Sequence, residues 1–194
     1  MYIPKLDATI PQNNNKFSYW VGKTILQLFG WKIVGQFPQR AKFVVAVAPH
    51  TSNWDFVIAV AAMLALQIKV RFLGKDAIFF WPFNIWLKHI GGIPVERSSA
   101  HGVVGQMVTM FNNNEQLVLA IAPEGTRRKT SQWKSGFLHI ANQAQVPVVP
   151  LSLDFAKKEI AVHKEQTIQK DIEQELIRFK ALFNDVTPKK PQNR

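Results

Sequence analysis

Apolar and polar positions change period several times along the chain. Between residues 17 and 30, Trp20, Val21, Ile25, Leu28 and Phe29 recur at three- and four-residue spacing. That spacing predicts an amphipathic helix, with Ser18 as its N-cap and Gly30 at its end. Residues 43–48 read FVVAVA, a short valine-rich run stopped by Pro49, and they predict a buried strand. Helical and extended patterns then alternate. Helices are expected over 56–67, 78–90 (aromatic-rich), 101–112, 135–145 and 169–183. Strands are expected over 70–73, 93–95, 116–122, 146–154 and 159–163. Two prolines in 146–154 push that strand toward an edge or an irregular stretch. The alternation predicts an α/β fold: a single domain with a mixed, mostly parallel sheet flanked by helices, preceded by the amphipathic helix. Residues 1–16 are expected to be flexible and 187–194 to form a disordered polar tail.

Composition narrows the functional classes. A chain of 194 residues with 47% hydrophobic and 19% charged positions suits one folded domain. The absence of cysteine excludes disulfides, a thiol nucleophile and Cys-ligated metals. The five histidines show no metal-motif spacing, so no metal site is expected. The longest apolar run, 56–66, is shorter than the roughly 20 residues a membrane span needs. The first residues lack the basic start and apolar run of a signal peptide, so a location on the cytoplasmic side is expected. A net charge of +11 predicts a polyanionic partner: nucleic acid, an anionic membrane surface, or phosphorylated and CoA-like molecules. Six Trp and 14 Phe favour lipid among these. No nucleic-acid-binding module is visible, so nucleic acid is not an expected partner. The 17–30 helix reads equally well as lying on a membrane or packed on the core.

In α/β sheets ligands gather at the carboxyl ends of strands. After the first strand come His50 and Asp55. A carboxylate beside an imidazole fixes its tautomer and supports a general base. Ser52 and Asp55 also have the spacing of a helix-capping box, so Asp55 could serve only as a cap. After residues 116–122 come Pro123, Glu124, Gly125, Thr126, Arg127, Arg128 and Lys129. Gly125 allows a tight turn whose amides bind anions, and the cations suit phosphate. Glu124, directly after a buried strand, needs a partner. Arg97 follows the strand at 93–95. Three strand ends thus send His, Glu and Arg toward one rim.

These motifs, in this order, resemble the glycerolipid acyltransferase family, which includes bacterial 1-acyl-glycerol-3-phosphate acyltransferases. His50 and Asp55 match its H-x-x-x-x-D block. Residues 91–97, GGIPVER, match its second block, and residues 123–127 match P-E-G-T-R in full. Residues 146–150, VPVVP, match its fourth. Pro49, Pro94 and Arg128 stand where the family often has Asn, an aromatic residue and Ser, and the short chain looks like a compact branch.

The resemblance implies a single acyltransferase domain with its catalytic core in 43–154. It implies transfer of a fatty acyl group from acyl-CoA or acyl-carrier protein to the hydroxyl of a glycerol-phosphate or lysophospholipid acceptor, at the cytoplasmic face of a membrane as a peripheral protein. His50 would be the base oriented by Asp55. Arg97, Glu124, Gly125, Thr126 and Arg127 would bind the acceptor, joined by Lys134 of a W-K-S-G stretch resembling the family's F-K-x-G. No cofactor is implied beyond the thioester co-substrate. The competing expectations are acyl transfer to another acceptor, such as an aminolipid, and a non-catalytic basic protein that binds anionic lipid or nucleic acid.

Overall fold

The computed structural model describes residues 1–95 and 100–193. Among these, seven strands form one sheet in the order β1-β7-β6-β2-β5-β3-β4. The strands are β1 (Lys32–Gly35), β2 (Lys42–Ala48), β3 (Arg71–Lys75), β4 (Gly92–Val95), β5 (Leu117–Ile121), β6 (Val148–Asp154) and β7 (Glu159–Val162). β2, β3, β4, β5 and β6 run parallel, and β7 returns antiparallel to β6. The helices are α1 (Lys16–Leu28), α2 (Asn53–Leu66), α3 (Phe83–His89), α4 (Ala100–Asn113), α5 (Gly136–Gln143) and α6 (Ile172–Ala181).

Successive residues of a strand face opposite sides of a sheet, and the two faces of β2 build two cores. Phe43 and Val45 join Leu26 of α1 and Ile58, Ala61 and Ala65 of α2. Val44 and Ala46 join Met107 of α4, Phe137 of α5 and Phe179 of α6. The result is the expected three-layer α/β domain. The carboxyl ends of β2, β3 and β5 lie along one rim because these strands are parallel.

Helix α1 settles against α2 through Gly22: a Cβ there would fall 2.4 Å from the Ala65 nitrogen and 2.5 Å from the Ala61 carbonyl. Only glycine lets the two backbones approach this closely. The cap is Asn15, whose side chain accepts from Ser18 N–H, and not Ser18 itself. One face of α1 is therefore core-packed while Phe17, Trp20 and Leu28 are exposed.

Two further expectations are corrected, and one strand has no counterpart in the sequence reading. β1 carries no readable pattern, being four residues with one buried side chain, Ile33. The β6 segment is interior, not at an edge. Val148 exchanges backbone hydrogen bonds with Gln166, and two residues on the Pro150 carbonyl accepts from His163 N–H at 2.9 Å. Pro150 thus keeps the carbonyl half of its pair with His163 and forgoes only the reciprocal N–H bond, at the mouth of the ladder just past the last residue of β7. The 78–90 helix is shortened to α3 after a 3-10 turn, Asp76–Ile78, because Pro82 suits a helix start and disfavours helical geometry in the residue before it.

Both terminal segments make contacts with the domain. Ile10 is buried in the core, and Asn13 N–H donates to the Gln67 carbonyl. Val186 and Pro188 are buried, Phe155 N–H donates to the Thr187 carbonyl, and residues 190 and 193 bond to Thr51. Polar composition carried no sign of these long-range hydrogen bonds and buried side chains.

Candidate active site

The loop from β2 to α2 places His50 and Asp55 together. Ser52, in extended geometry, caps α2 and accepts from Trp54 N–H. Asp55 occupies the first turn, where a carboxylate also favours the helix dipole. Its Oδ2 accepts from Thr51 N–H at 2.6 Å and Ser52 N–H at 2.7 Å, and lies 3.4 Å from His50 Nδ1. The cap and the imidazole partner are therefore one oxygen atom. Asp55 is 1% exposed, whereas the His50 side chain retains 20% of its accessibility.

The turn after β5 meets this loop. Glu124, also buried, accepts His50 N–H on Oε2 at 2.8 Å. Arg127 Nε donates to His50 Nε2 at 3.2 Å. A guanidinium only donates, so Nε2 here carries its lone pair and Nδ1 carries the proton, directed at Asp55. Gly125, with φ +63°, closes the turn through its N–H to the Ala122 carbonyl. The Lys134 side chain lies over it, its Cδ and Cε 3.1 Å from where a Cβ would sit. Thr126 Oγ1 accepts from Arg128 N–H, bracing the turn internally. The structure thus gathers His50, Asp55, Glu124, Gly125, Thr126, Arg127 and Lys134 at one rim. Arg97 lies outside the described residues.

Sequence reasoning did not find the cavity behind His50. About 180 Å³ of space lies between α2 and the sheet, walled by Val45, Val47, Phe56, Val60, Met63 and Leu151 among others. His50 and Asp55 are its only polar lining residues among those described. The signal was the combination of small and flexible apolar residues on α2, Ala59, Ala62 and Met63, which leave room beside the sheet. A site with a neutral imidazole at an apolar cavity and cations on the facing turn can accept a proton from an anionic amphiphile's hydroxyl. No group of three or more potential metal ligands is gathered among the described residues.

Fold and site together define the class: an α/β protein with a His–carboxylate pair at the carboxyl rim of a parallel sheet, beside a basic P-E-G-T-R turn. The chain belongs to the acyltransferase family, whose sequence model matches residues 32–154. It is similar to the 1-acyl-sn-glycerol-3-phosphate acyltransferase of Haemophilus influenzae, with 28% identity over 151 residues, covering 73% of this chain and 61% of that protein. Against the Escherichia coli protein of the same name, identity is 26% over 166 residues, covering 79% of this chain and 65% of the relative. The probable 1-acyl-sn-glycerol-3-phosphate acyltransferase of Mycoplasma pneumoniae is 30% identical over 156 residues, 74% of this chain and 57% of that one. The matched region thus spans about three-fifths of these relatives' length. The fold is that of the crystal structure of the 1-acyl-sn-glycerophosphate (LPA) acyltransferase PlsC from Thermotoga maritima, at a TM-score of 0.56 and 18% identity, over 89% of this chain and 81% of that one.

Proposed function

We propose that the protein transfers a fatty acyl group from acyl-CoA or acyl-carrier protein to the free hydroxyl of a 1-acyl-glycerol-3-phosphate-type acceptor. The observation that carries this reading is the imidazole of His50: its Nδ1 faces buried Asp55 while the ring lines an apolar cavity. In the reaction, Nε2 takes the hydroxyl proton and the freed oxygen attacks the thioester carbonyl. The tetrahedral intermediate collapses by breaking the C–S bond. The thiolate leaves and takes the proton back from the imidazolium, so the ring ends neutral. No acyl-enzyme forms and no cofactor enters any step. Asp55 stabilises the transient imidazolium, since a carboxylate beside it favours the charged ring.

The acceptor's phosphate is held by Arg127 and Lys134, with Arg97 assigned the same task from its motif. Glu124, Gly125 and Thr126 build the turn that presents them, and the apolar cavity receives an acyl chain. The relatives' names support the acceptor class. No described helix is long and apolar enough to cross a membrane. A net charge of +11 supports peripheral attachment to an anionic, cytoplasm-facing membrane surface.

The test is a purified-protein assay with labelled acyl donors, as CoA and carrier-protein thioesters, and a panel of acceptors: lysophosphatidic acid, glycerol 3-phosphate, other lysophospholipids and an aminolipid. Transfer to lysophosphatidic acid is expected, and His50→Ala should lower it by about 10²–10⁴-fold, the usual contribution of a general base. Residual activity near wild type in a folded His50→Ala protein removes the base assignment.

A further inference from the structure

Beyond the reaction itself, the structure carries an unpartnered aromatic surface beside the site. The segment leaving β3 rises from the same rim as His50, because β3 and β2 are both parallel to β5. Six large apolar side chains are exposed within nine residues: Ile78 at 40%, Phe80 at 57%, Trp81 at 78%, Phe83 at 53%, Ile85 at 65% and Trp86 at 48%. Exposed apolar clusters of this kind mark interaction sites rather than ordinary surface.

The surface continues into the cavity. Trp86 packs edge-on against Phe56, with ring centroids 6.3 Å apart, and Phe56 lines the apolar space behind His50. Two positions earlier on α2, about 200° around the helix, Trp54 packs on Phe29 at 5.5 Å. Aromatic pairs therefore flank both sides of the helical turn that holds Asp55. Exposed Lys75 and Lys88 bracket the segment, and Asp76 is the sole acidic residue between them. Trp with basic flanks around an apolar patch fits a headgroup–acyl boundary, where an indole presents an apolar body and a polar N–H.

We infer that the segment from Ile78 to Trp86 is a bilayer-docking surface: Phe80, Trp81, Phe83 and Ile85 enter the interface of an anionic membrane, Lys75 and Lys88 meet lipid phosphates, and the cavity mouth faces the acyl layer. The choice of a bilayer over a protein partner rests on the basic flanks and on the continuity of the patch with an apolar cavity. It rests on the proposed lipid reaction only for why that mouth must face lipid. α1 presents a second exposed apolar face, Phe17, Trp20 and Leu28, and serves as the comparison surface.

The experiment measures flotation of the full chain with phosphatidylcholine–phosphatidylglycerol vesicles, together with tryptophan quenching by brominated lipids. The Trp81→Asp/Ile85→Asp double variant, at two positions that do not line the cavity, should lose vesicle partitioning by roughly tenfold or more. Its turnover of a water-soluble hexanoyl acceptor should stay within about twofold of wild type, as for other surface changes. Trp81→Phe should remove a substantial part of the lipid quenching, a readout that does not depend on the double variant's folding. Normal partitioning by the double variant, or wild-type protein that ignores vesicles, overturns the inference. So does a wild-type dimer that the double variant converts to monomer, since a second copy would then cover the face. Loss of binding on Trp20→Asp/Leu28→Asp with Trp81 unquenched assigns docking to α1 and overturns it too. Vesicle docking through this segment without any acyl transfer upholds the inference and removes the proposed reaction instead.

Discussion

Arg127 Nε donates to His50 Nε2 at 3.2 Å, across 77 residues of chain. The donor occupies the lone pair that the proposed reaction uses. An acceptor hydroxyl must therefore displace the guanidinium, and an acceptor phosphate is the group suited to draw it away. Arg127→Ala should raise the acceptor KM by about 10–100-fold, the equivalent of one lost charged contact at 1.5–3 kcal/mol. Arg127→Lys should recover only part, because Lys lacks the planar fork. Comparing acceptors with and without phosphate checks the coupling: the preference should shrink in Arg127→Ala.

Glu124 is buried with its carboxylate on His50 N–H at 2.8 Å. It holds the backbone of the proposed base, so its loss should be felt in kcat. Glu124→Gln keeps an acceptor but weakens a charge-assisted bond by about 1 kcal/mol, lowering kcat about fivefold with the acceptor KM little changed. A rise in KM alone would instead make Glu124 a direct acceptor ligand. Steady-state kinetics separates the two.

The cavity behind His50 can be shortened from α2. Ala59 lines it, and Ala59→Phe fills space beside Val60 and Met63. Removing room for two methylenes costs about 1.6 kcal/mol of chain burial. Long acyl donors should lose about tenfold in kcat/KM while short donors keep theirs, as read from a chain-length series.

Thr51 joins the C-terminal segment to the loop between β2 and α2. Its N–H donates to Asp55, its Oγ1 accepts from Lys190 N–H at 3.2 Å, and its carbonyl accepts from Asn193 Nδ2 at 3.1 Å. Thr51→Val keeps the shape but strands the Lys190 N–H, at a cost of about 1–3 kcal/mol. Denaturant titration should show a lower midpoint, and limited proteolysis should cut the 187–193 segment faster.

His163 Nε2 lies 3.0 Å from the buried Ser152 hydroxyl. Burial pushes its pKa below the ordinary histidine value, partly offset by nearby Glu159. The folded state thus binds this proton less readily than the unfolded chain. The associated stability is fully present above the ordinary value of about 6.5 and is lost as pH falls through it toward the folded value. Thermal denaturation between neutral and mildly acidic pH should show that loss, and His163→Gln should flatten it.

Periodicity and strand ends were enough to read most elements of the sheet and to pick out His50, Asp55 and the turn from Glu124 to Arg127, because binary patterning and capping residues act over a few neighbours. Asp55 shows the limit of that reading: its spacing fitted both a cap and an imidazole partner, and the folded loop sets one oxygen on the cap amides and 3.4 Å from His50 Nδ1. β1 was too short for a period, and the interior position of β6 depended on where the missing Pro150 N–H falls relative to the end of β7. The bonds of Asn13 to Gln67 and of residues 187–193 to Thr51 and Phe155, the contact of Arg127 with His50, and the cavity beside α2 join groups dozens of residues apart. Such contacts are set by how layers pack, and no local pattern in a chain records them.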